Sequence, residues 1–568
     1  MTNNYSFDPT KIAFDYLEQG RTLDAEERFR SLLKTDPRQP DALHGMACVA
    51  RHKGQNATAI ALMGLALKNA AEVSPSRRAR MHITLGAALL EEGHVEPARA
   101  ALSVATVLQP ADHRAHAALA QALLVLNRRD EAMASLQVAA DLASHDQIYL
   151  TQLGQLSLED GLLKQSIRYF EEAVRSGAND GAAWANLGAA LFSDRQFEKA
   201  QEVLGKAEKL GAKTAETYNN LGLVQMALGD LSAAKQSLIK ALTLRPHDAR
   251  IANSLGTALM ELGDEEKAQD LFECIVKETT GYDGNQARFN LATLLLGKGE
   301  FEKGWVNFES RHSLLGYQPA LPVWKGDQGE TPVLVTAEQG LGDSLQFLRF
   351  LKSASKKRPL ELDFPAASLT DYMPDLEKAR VVIGKTGRAK SEVSLLSLPY
   401  ILNEKEAPSS TPYVMMNIEP DHRRIGLCWS GNASYQFDRR RSIPVELFEP
   451  FKELASDVDF VALQPGEHPD WMHKISSFET ITDLAVAVAK CSLVISVDTL
   501  VAHMAGAQGR PLWLLNRFGG DWRWKNIEWY QNVKQFRPDG SQSPYEGWKS
   551  VIAKVKKELR EQLNAHHL

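Results

Sequence analysis

The chain has 568 residues, which exceeds what one hydrophobic core usually supports and therefore predicts several structural units. Hydrophobic residues make up 44% and charged residues 24% of the sequence, a balance that excludes a chain disordered throughout. The net charge of -6 provides no overall positive field, and no basic patch stands out, so no nucleic-acid partner is predicted.

The first residues lack the features of an export signal. The segment MTNNYSFDPTKIAFDYLEQG has no basic stretch followed by an apolar core and a small-residue cleavage site. Apolar runs elsewhere are shorter than the ~20 residues that cross a bilayer. The four cysteines are far apart and form neither a CxxC pair nor a disulfide framework. We therefore expect a cytoplasmic protein without a membrane span.

A period of thirty-four residues runs through the first half of the chain. Leu187 and Gly188 of one segment return as Leu221 and Gly222 in the next. This is the length of the helix-turn-helix unit of tetratricopeptide repeats. The uninterrupted series comprises the segments that begin at positions 79, 113, 147, 181, 215 and 249.

Less regular units on either side extend the predicted all-α tetratricopeptide-repeat solenoid to about nine units over residues 1–315. Such a solenoid leaves a concave surface that binds an extended peptide or a folded protein. Asn186, Asn220 and Asn290 recur at one position of the unit, and an amide both donates and accepts, so the column would bind a peptide backbone. The column resembles the asparagine ladder of O-GlcNAc transferases, although asparagine is also common at this position in repeats generally.

The pattern changes beyond residue 330 to short β-branched runs separated by glycine-containing turns and helical stretches, which is typical of α/β units. The proline-containing segment EAPSSTPYVMMNIEPD divides this half into lobes 316–420 and 421–568, the second ending in an amphipathic helix. Sites are expected at the carboxyl ends of the strands. The predicted strands lie in TPVLVTAEQ, RPLELDFP, RVVIGK, RRIGLCWSGN, VDFVALQPG, SLVISVD and RPLWLLN.

Several motifs follow one another between residues 300 and 545, namely AEQGLGDSLQFLRF, RIGLCWSGN, VALQPGE, DLAVAVAKCSLVISVDTLVAHMAGAQGRPLWLL and DWRW. In these motifs the second half resembles the heptosyltransferase-like glycosyltransferases, particularly bacterial forms that follow a tetratricopeptide arm. The resemblance implies a GT-B-like fold of two Rossmann-like lobes, with a nucleotide-activated sugar as co-substrate and no cofactor. Some proteins of this layout are flagellin glycosyltransferases, which implies flagellin as acceptor and a nonulosonic acid, such as CMP-pseudaminic acid, as donor.

The first candidate site follows the first predicted strand. Gly340 and Gly342 allow the backbone to approach a ligand, and the amides at the start of the helix favour an anion, so both are donor-binding candidates. Inverting sugar transfer needs a base that accepts the proton of the acceptor hydroxyl. Asp343 matches the glycine-aspartate pair in which the resembled family carries its proposed base, and Glu338 is the second catalytic candidate. The alternative for Asp343 is a helix cap.

The second candidate site follows the strand SLVISVD. Asp498 ends this strand, Thr499 begins the next helix, and His503 lies one turn later on the same face. The corresponding residues of the resembled family line its donor site, where helix amides and a hydroxyl would stabilise the leaving nucleotide. The alternatives are a capping pair and a core histidine.

Other candidates lie at further strand ends and in the DWRW motif. Arg441 is the candidate cation for phosphate, and Trp522 is a candidate for the acceptor channel, although a solvated charge run and a packing tryptophan are the respective alternatives. The remaining donor-binding candidates are Trp429, Ser430, Gly431, Asn432 and Gln464.

No metal site is predicted. The DVD segment at Asp457 to Asp459 has the spacing of the metal motif of other sugar transferases, but it precedes its strand and so points away from a carboxyl-end site. Without a metal, helix dipoles and cationic side chains must stabilise the leaving nucleotide.

The sequence therefore favours a protein O-glycosyltransferase, inverting and metal-independent, that modifies Ser or Thr of a protein bound by the repeats. Two alternatives remain open. One is a non-catalytic scaffold with a degenerate transferase domain, since a fold does not fix a function. The other is a transferase that acts on lipopolysaccharide or another glycan.

Overall fold

A computed structural model describes residues 9–565, apart from residues 178, 434, 436–437, 475–477 and 541. The chain forms two compact units, Met1–Ala212 and Lys213–Leu568. Among the helices of the described residues, none has both the length and the apolar character needed to cross a bilayer.

The first unit is built from helix pairs. Its described residues contain twelve helices, taken in sequence as six pairs. They are α1 Pro9–Glu18, α2 Thr22–Thr35, α3 Pro40–His52, α4 Asn56–Lys68, α5 Pro75–Glu91, α6 Val95–Leu108, α7 His113–Val125, α8 Arg129–Leu142, α9 Gln147–Glu159, α10 Leu163–Ser176, α11 Gly181–Ser193 and α12 Phe197–Lys209.

Aspartate caps mark the helix starts with the same period as the sequence. Asp112, Asp146 and Asp180 each precede the first helix of a pair and accept a hydrogen bond from the backbone N–H two residues later. An aspartate cap stabilises a helix by ~1 kcal/mol. The thirty-four-residue sequence period is therefore a period of helix starts, as the predicted tetratricopeptide repeat requires.

Glycine recurs in the repeats because the paired helices touch there. A Cβ atom on Gly188 would lie 2.5 Å from Cγ of Leu204, and one on Gly154 would lie 2.7 Å from Cε1 of Phe170. In each case the large residue follows the glycine by sixteen positions, on the second helix of the pair. Gly222 with Leu238 and Gly256 with Phe272 repeat the arrangement in the second unit.

Helix pairs also open the second unit, so the division of the chain at residues 212 and 213 differs from the predicted boundary at residue 315. The reason is side-chain packing. Trp305 and Phe308 lie in one hydrophobic core with Phe347 and Trp522 from the region that follows the repeats. The helices concerned are α13 Ala215–Leu228, α14 Leu231–Leu244, α15 Ala249–Leu262, α16 Glu265–Glu278, α17 Gly281–Lys298, α18 Phe301–Phe308 and α19 Arg311–Leu315.

Two parallel sheets follow, as predicted. The first contains β1 Val333–Thr336, β2 Leu360–Asp363, β3 Val381–Ile383 and β4 Ser391–Ser394, in the order β3-β2-β1-β4. The second has the order β10-β9-β8-β5-β6-β7. Its strands are β5 Asp421–Cys428, β6 Asp459–Ala462, β7 His473–Lys474, β8 Cys491–Val497, β9 Leu512–Leu515 and β10 Val533–Phe536.

The remaining α-helices of the described residues are α20 Leu341–Phe347, α21 Leu351–Lys357, α22 Leu398–Ile401, α23 Asp438–Arg441, α24 Ile481–Ala489, α25 Leu500–Ala507 and α26 Pro544–Asn564. Helices α20 and α21 are separated only by a 3-10 turn, Leu348–Phe350. The predicted C-terminal helix is present as α26. Its Trp548, Val551 and Val555 pack into the core of the second sheet.

Candidate functional site

The second unit contains an open cavity of about 510 Å³. Repeat helices α15 and α17 contribute Asn253 and Asn290 to its wall. Asp343 comes from helix α20, which follows the first strand, and Trp522 and Arg523 come from the connection between β9 and β10. The cavity therefore places amide groups of the repeats beside the predicted base.

Asp343 accepts a hydrogen bond from Arg523. Arg523 also donates to Asp521 at 2.8 Å and to Gln346 at 2.6 Å. The N-cap position of helix α20 is Gly340, three residues earlier, so Asp343 is not the residue that caps this helix. Sequence reasoning missed Arg523, although it lies between the two tryptophans of the DWRW motif.

Glu338 is half-buried outside this cavity and belongs to an ion-pair network. Its carboxylate accepts from Arg311 Nε at 2.8 Å and from the Ser394 hydroxyl. Burial alone would raise the pKa of Glu338, but the neighbouring His312, the Arg311 charge and the Ser394 hydroxyl lower it to about 2. A weakly basic carboxylate engaged by these partners is poorly suited to accept a proton at neutral pH, so the geometry disfavours Glu338 as the base.

Asp498 and His503 are brought together, but in a buried stack. The Trp524 indole donates to Asp498 Oδ1 at 2.7 Å and lies against the His503 ring, with 5.1 Å between ring centroids. His503 Nδ1 lies 2.9 Å from the Tyr530 hydroxyl. Burial, with the Arg523 charge, lowers the pKa of His503 to about 3, so the imidazole is neutral. Burial and the nearby Asp521 charge raise the pKa of Asp498.

The start of helix α25, which follows Thr499, is tightly packed against Gly342 of helix α20. A Cβ atom on Gly342 would lie 3.1 Å from Cδ2 of His503 and 3.7 Å from the backbone nitrogen of Leu500. Thr499 makes no side-chain cap bond, and its hydroxyl lies 3.3 Å from the Val497 carbonyl oxygen. Asp498, Thr499 and His503 do not line the 510 Å³ cavity. The geometry therefore favours the core-histidine alternative for His503 and assigns Gly342 a packing role.

The loop after β5 is held by hydrogen bonds across the sheet edge. The backbone N–H groups of Trp429 and Ser430 both donate to Oε1 of Gln464, at 2.7 and 3.0 Å. The Gly431 N–H donates to the Ser442 hydroxyl at 2.9 Å. The Trp429 ring is buried in the core of the second sheet. These predicted donor residues do meet at one sheet edge, because β5 lies between β6 and β8.

Arg441 also lies at this edge. It pairs with Asp438 at 2.7 Å and donates to the Asp498 carbonyl oxygen at 3.0 Å. A Cβ atom on Gly431 would collide with the Arg441 guanidinium, at 2.1 Å from Nη2. Arg441 is therefore a cation at the edge, near the end of β8. In the loop after β5, the Asn432 carbonyl oxygen accepts from the Tyr435 N–H at 2.9 Å.

Of the three asparagines in the predicted column, one lines the cavity. Asn290 lines the cavity, and its Oδ1 accepts from Gln286 at 3.1 Å. Asn220 is half-buried on helix α13, whereas Asn186 lies half-buried in the first unit. The amide that sequence reasoning missed is Asn253, whose buried Oδ1 has no hydrogen-bond partner among the described residues. Its sequence signal is that it repeats Asn219 one period later, next to Ser254, the repeat equivalent of Asn220.

Trp522 forms part of the cavity wall, but little of it is exposed. Its ring packs edge-on against Trp305 and Trp529, at 6.1 and 5.6 Å between centroids. Asp457 lies in a turn and Asp459 begins β6, at the amino end of that strand. Within the described residues no three or more His, Cys, Asp or Glu side chains are grouped as a metal site.

Comparisons with known proteins identify the repeats. Tetratricopeptide-repeat family models match residues 10–74, 83–146, 151–213 and 215–248. Protein FlbA of Caulobacter vibrioides is 25% identical over 345 residues, covering 48% of this chain and 55% of FlbA. The chain thus spans about half of the length of this curated relative. These matches confirm the predicted tetratricopeptide repeats.

Solved structures also resemble part of the chain. Pseudomonas aeruginosa PilF is 18% identical, with a TM-score of 0.33, and the match covers 37% of this chain and 97% of PilF. The APC/C hetero-tetramer Cut9-Hcn1 is 18% identical, with a TM-score of 0.34, and the match covers 48% of this chain and 52% of the matched chain.

Proposed function

We propose that this tetratricopeptide-repeat protein is an inverting protein O-glycosyltransferase with a GT-B-like catalytic region. The observation that carries the proposal is the cavity in which Asn253 and Asn290 of the repeats share a wall with Asp343. An acceptor segment bound along the repeat amides would thereby present a side chain to a carboxylate. Repeats supply protein binding, and the parallel sheets supply strand ends at which ligands commonly bind.

The proposed reaction assigns Asp343 the role of general base. Its carboxylate accepts the proton of a Ser or Thr hydroxyl while the hydroxyl oxygen bonds to the anomeric carbon of the sugar. The bond from that carbon to the nucleotide phosphate breaks, and the phosphate keeps the electron pair. General-base assistance of this kind contributes about 10²–10⁴-fold to a rate. Arg523 orients the carboxylate through the hydrogen bond that it donates to Asp343.

The nucleotide would bind at the carboxyl edge of the second sheet. Ser430, Gln464 and Asp498 follow the three neighbouring strands β5, β6 and β8 there. Arg441 lies at the same edge and supplies positive charge for the leaving phosphate. Because the corner at Thr499 is tightly packed, the donor would meet mainly backbone groups and the loop after β5.

The acceptor and the donor are proposed from the family resemblance of the sequence motifs. Flagellin is the proposed acceptor, and a CMP-linked nonulosonic acid such as CMP-pseudaminic acid is the proposed donor. The uncharged amides on the repeat side of the cavity suit a Ser- or Thr-containing segment, because amides hydrogen-bond to backbone and hydroxyl groups without requiring a charge.

The test is a transfer reaction with purified full-length protein, flagellin monomer and CMP-pseudaminic acid, followed by the intact mass of flagellin. We expect a mass gain equal to one or more sugar residues, which disappears when the donor is omitted. UDP-, GDP- and ADP-linked sugars are tested in parallel to identify the nucleotide. Flagellin that binds the protein but gains no mass with any donor would instead favour the non-catalytic scaffold.

A further inference from the structure

Helix α15 of the repeats carries a carboxylate that is almost completely buried. Glu261 is 3% exposed and accepts hydrogen bonds from Arg440, at 2.9 Å, and from Arg517. Burial would raise the pKa of Glu261, but the two guanidinium charges lower it, so the group is ionised at neutral pH. The carboxylate thus joins a repeat helix to helix α23, which follows β5, and to the loop after β9.

The loop after β9 passes directly over this carboxylate. Gly519 has a φ of +81°, and a Cβ atom there would lie 2.6 Å from Glu261 Oε2 and 2.9 Å from the Glu261 carbonyl oxygen. Only glycine accommodates both this left-handed backbone and this approach. The segment is therefore shaped to fit against Glu261.

Two further contacts fix the same segment, residues 517–525, to the repeats. Lys525 pairs with Glu265 of helix α16 at 2.6 Å. A Cβ atom on Gly297 of helix α17 would lie 3.4 Å from Cβ of Trp522. The three consecutive repeat helices α15, α16 and α17 thus all contact the segment 517–525.

This segment carries residues that contact both Asp343 of the first candidate site and Asp498 of the second. Arg523 donates to Asp343, and Trp524 donates to Asp498. We infer that Glu261 is a positioning residue, which fixes the segment 517–525 so that Arg523 orients Asp343 at the cavity. The chemical part of this inference rests on the proposed transferase function, whereas the positioning of the segment does not.

The first experiment measures amide hydrogen exchange in the full-length protein. In Glu261→Gln we expect exchange of peptides from the segment 517–525 to accelerate by at least about tenfold, because two buried guanidinium groups lose their counter-ion. Peptides from strands β8 and β9 should change by less than about twofold. Glu266→Gln is the matched control, since Glu266 is exposed on the neighbouring helix and should leave every peptide unchanged. Unchanged exchange of the segment in Glu261→Gln overturns the inference.

A second variant tests the same contact without replacing Glu261. Gly519→Ala keeps all the charges but places a methyl group against Glu261, and should accelerate the same peptides. If Glu261→Gln does not fold, this variant decides the question, and normal exchange of the segment in Gly519→Ala overturns the inference.

The catalytic consequence has a readout that a purely structural role would not give. We expect kcat of Glu261→Gln to fall at least about tenfold, with KM for flagellin and for CMP-pseudaminic acid changed less than about twofold. Glu261→Asp should recover much of the lost kcat. If the wild-type protein shows no transfer but Glu261→Gln loosens the segment, the proposed function fails and the positioning stands. If the segment loosens and kcat is unchanged, the inference fails and the function stands.

Discussion

Glu338 and Asp343 both follow strand β1 and lie five positions apart in the sequence, yet their carboxylates have different surroundings. Glu338 is bound by a buried arginine and a serine hydroxyl. Asp343 faces a cavity and binds one arginine that is itself shared with Asp521 and Gln346. The sequence motif locates both acids but does not distinguish them, because the partners that do so lie up to 180 residues away.

Replacement of Asp343 tests the proposed base. We expect Asp343→Asn to lower the rate of sugar transfer about 10²–10⁴-fold, because the amide cannot accept the proton, while flagellin binding is retained. The intact mass of flagellin measures transfer, and a pull-down measures binding. Asp371→Asn, an exposed acid of the same region, is the control and should be fully active. An undiminished mass gain in Asp343→Asn removes Asp343 as the base.

Replacement of Glu338 should affect stability and its pH dependence. The pKa of Glu338 is lowered to about 2 in the folded chain, from an ordinary value of 4.5. Its ionised form therefore stabilises the fold by about 3 kcal/mol above pH 4.5, and this contribution is lost as the pH falls towards 2. We expect Glu338→Gln to melt below the wild type at pH 7, with the difference narrowing below pH 4.5. A difference that is independent of pH contradicts this assignment.

At the scale of the element, the repeats are visible in the sequence because their contacts are local. Gly188 and its partner Leu204 are sixteen residues apart, and the aspartate caps lie within one turn of the amides that they satisfy. Periodicity therefore reports on packing directly. Strand β4 is different. Its sequence SEVS is polar, but Glu392 is buried because it accepts from the backbone N–H groups of Ala320 and Leu321.

Strand β10 escaped prediction for a related reason. It lies at the edge of its sheet, and Lys534 and Gln535 at its centre are exposed. An edge strand of this kind lacks the continuous apolar run by which the interior strand β8 was recognised. Tertiary position, rather than local preference, determines both β4 and β10.

The packing of paired helices can be tested with two glycines of one repeat. Gly188→Ala places a methyl group 2.5 Å from Cγ of Leu204, and such overpacking costs about 1–3 kcal/mol. Gly205→Ala is the matched control, since no atom lies within 4 Å of its added Cβ and alanine favours a helix by about 1 kcal/mol. We expect the first variant to melt earlier and the second no earlier than the wild type, by helical circular dichroism. Equal melting of the two variants would contradict the close contact.

For the whole molecule, the sequence located the change from repeats to parallel sheets but not the division into compact units. The ion pairs of Glu261 with Arg440 and Arg517 join positions 179 and 256 residues apart. Glu261 itself lies in the acidic stretch ELGDEEK, which is indistinguishable in sequence from a solvated helix end. No periodic signal marks such long-range pairs, so the predicted boundary followed the end of the repeats instead.

Two fragments test this division. We expect residues 213–568 to remain folded as a fragment, since they form one compact unit. Residues 316–568 lack Glu261 and expose Trp522 and the two arginines, so this fragment should melt earlier and be cleaved faster by protease. Thermal melting and limited proteolysis provide the measurements. Equal resistance of the two fragments would mean that the repeats do not contribute to the fold of the sheets.

The three-point attachment of the segment 517–525 also limits how the protein can be re-engineered. A foreign repeat array is best joined near residues 212 and 213, where the compact units divide. A chimera joined at residue 315 would discard Glu261, Glu265 and Gly297, and with them the supports of Arg523. The last three repeats therefore belong with the parallel sheets, and only the repeats before residue 213 form an exchangeable part.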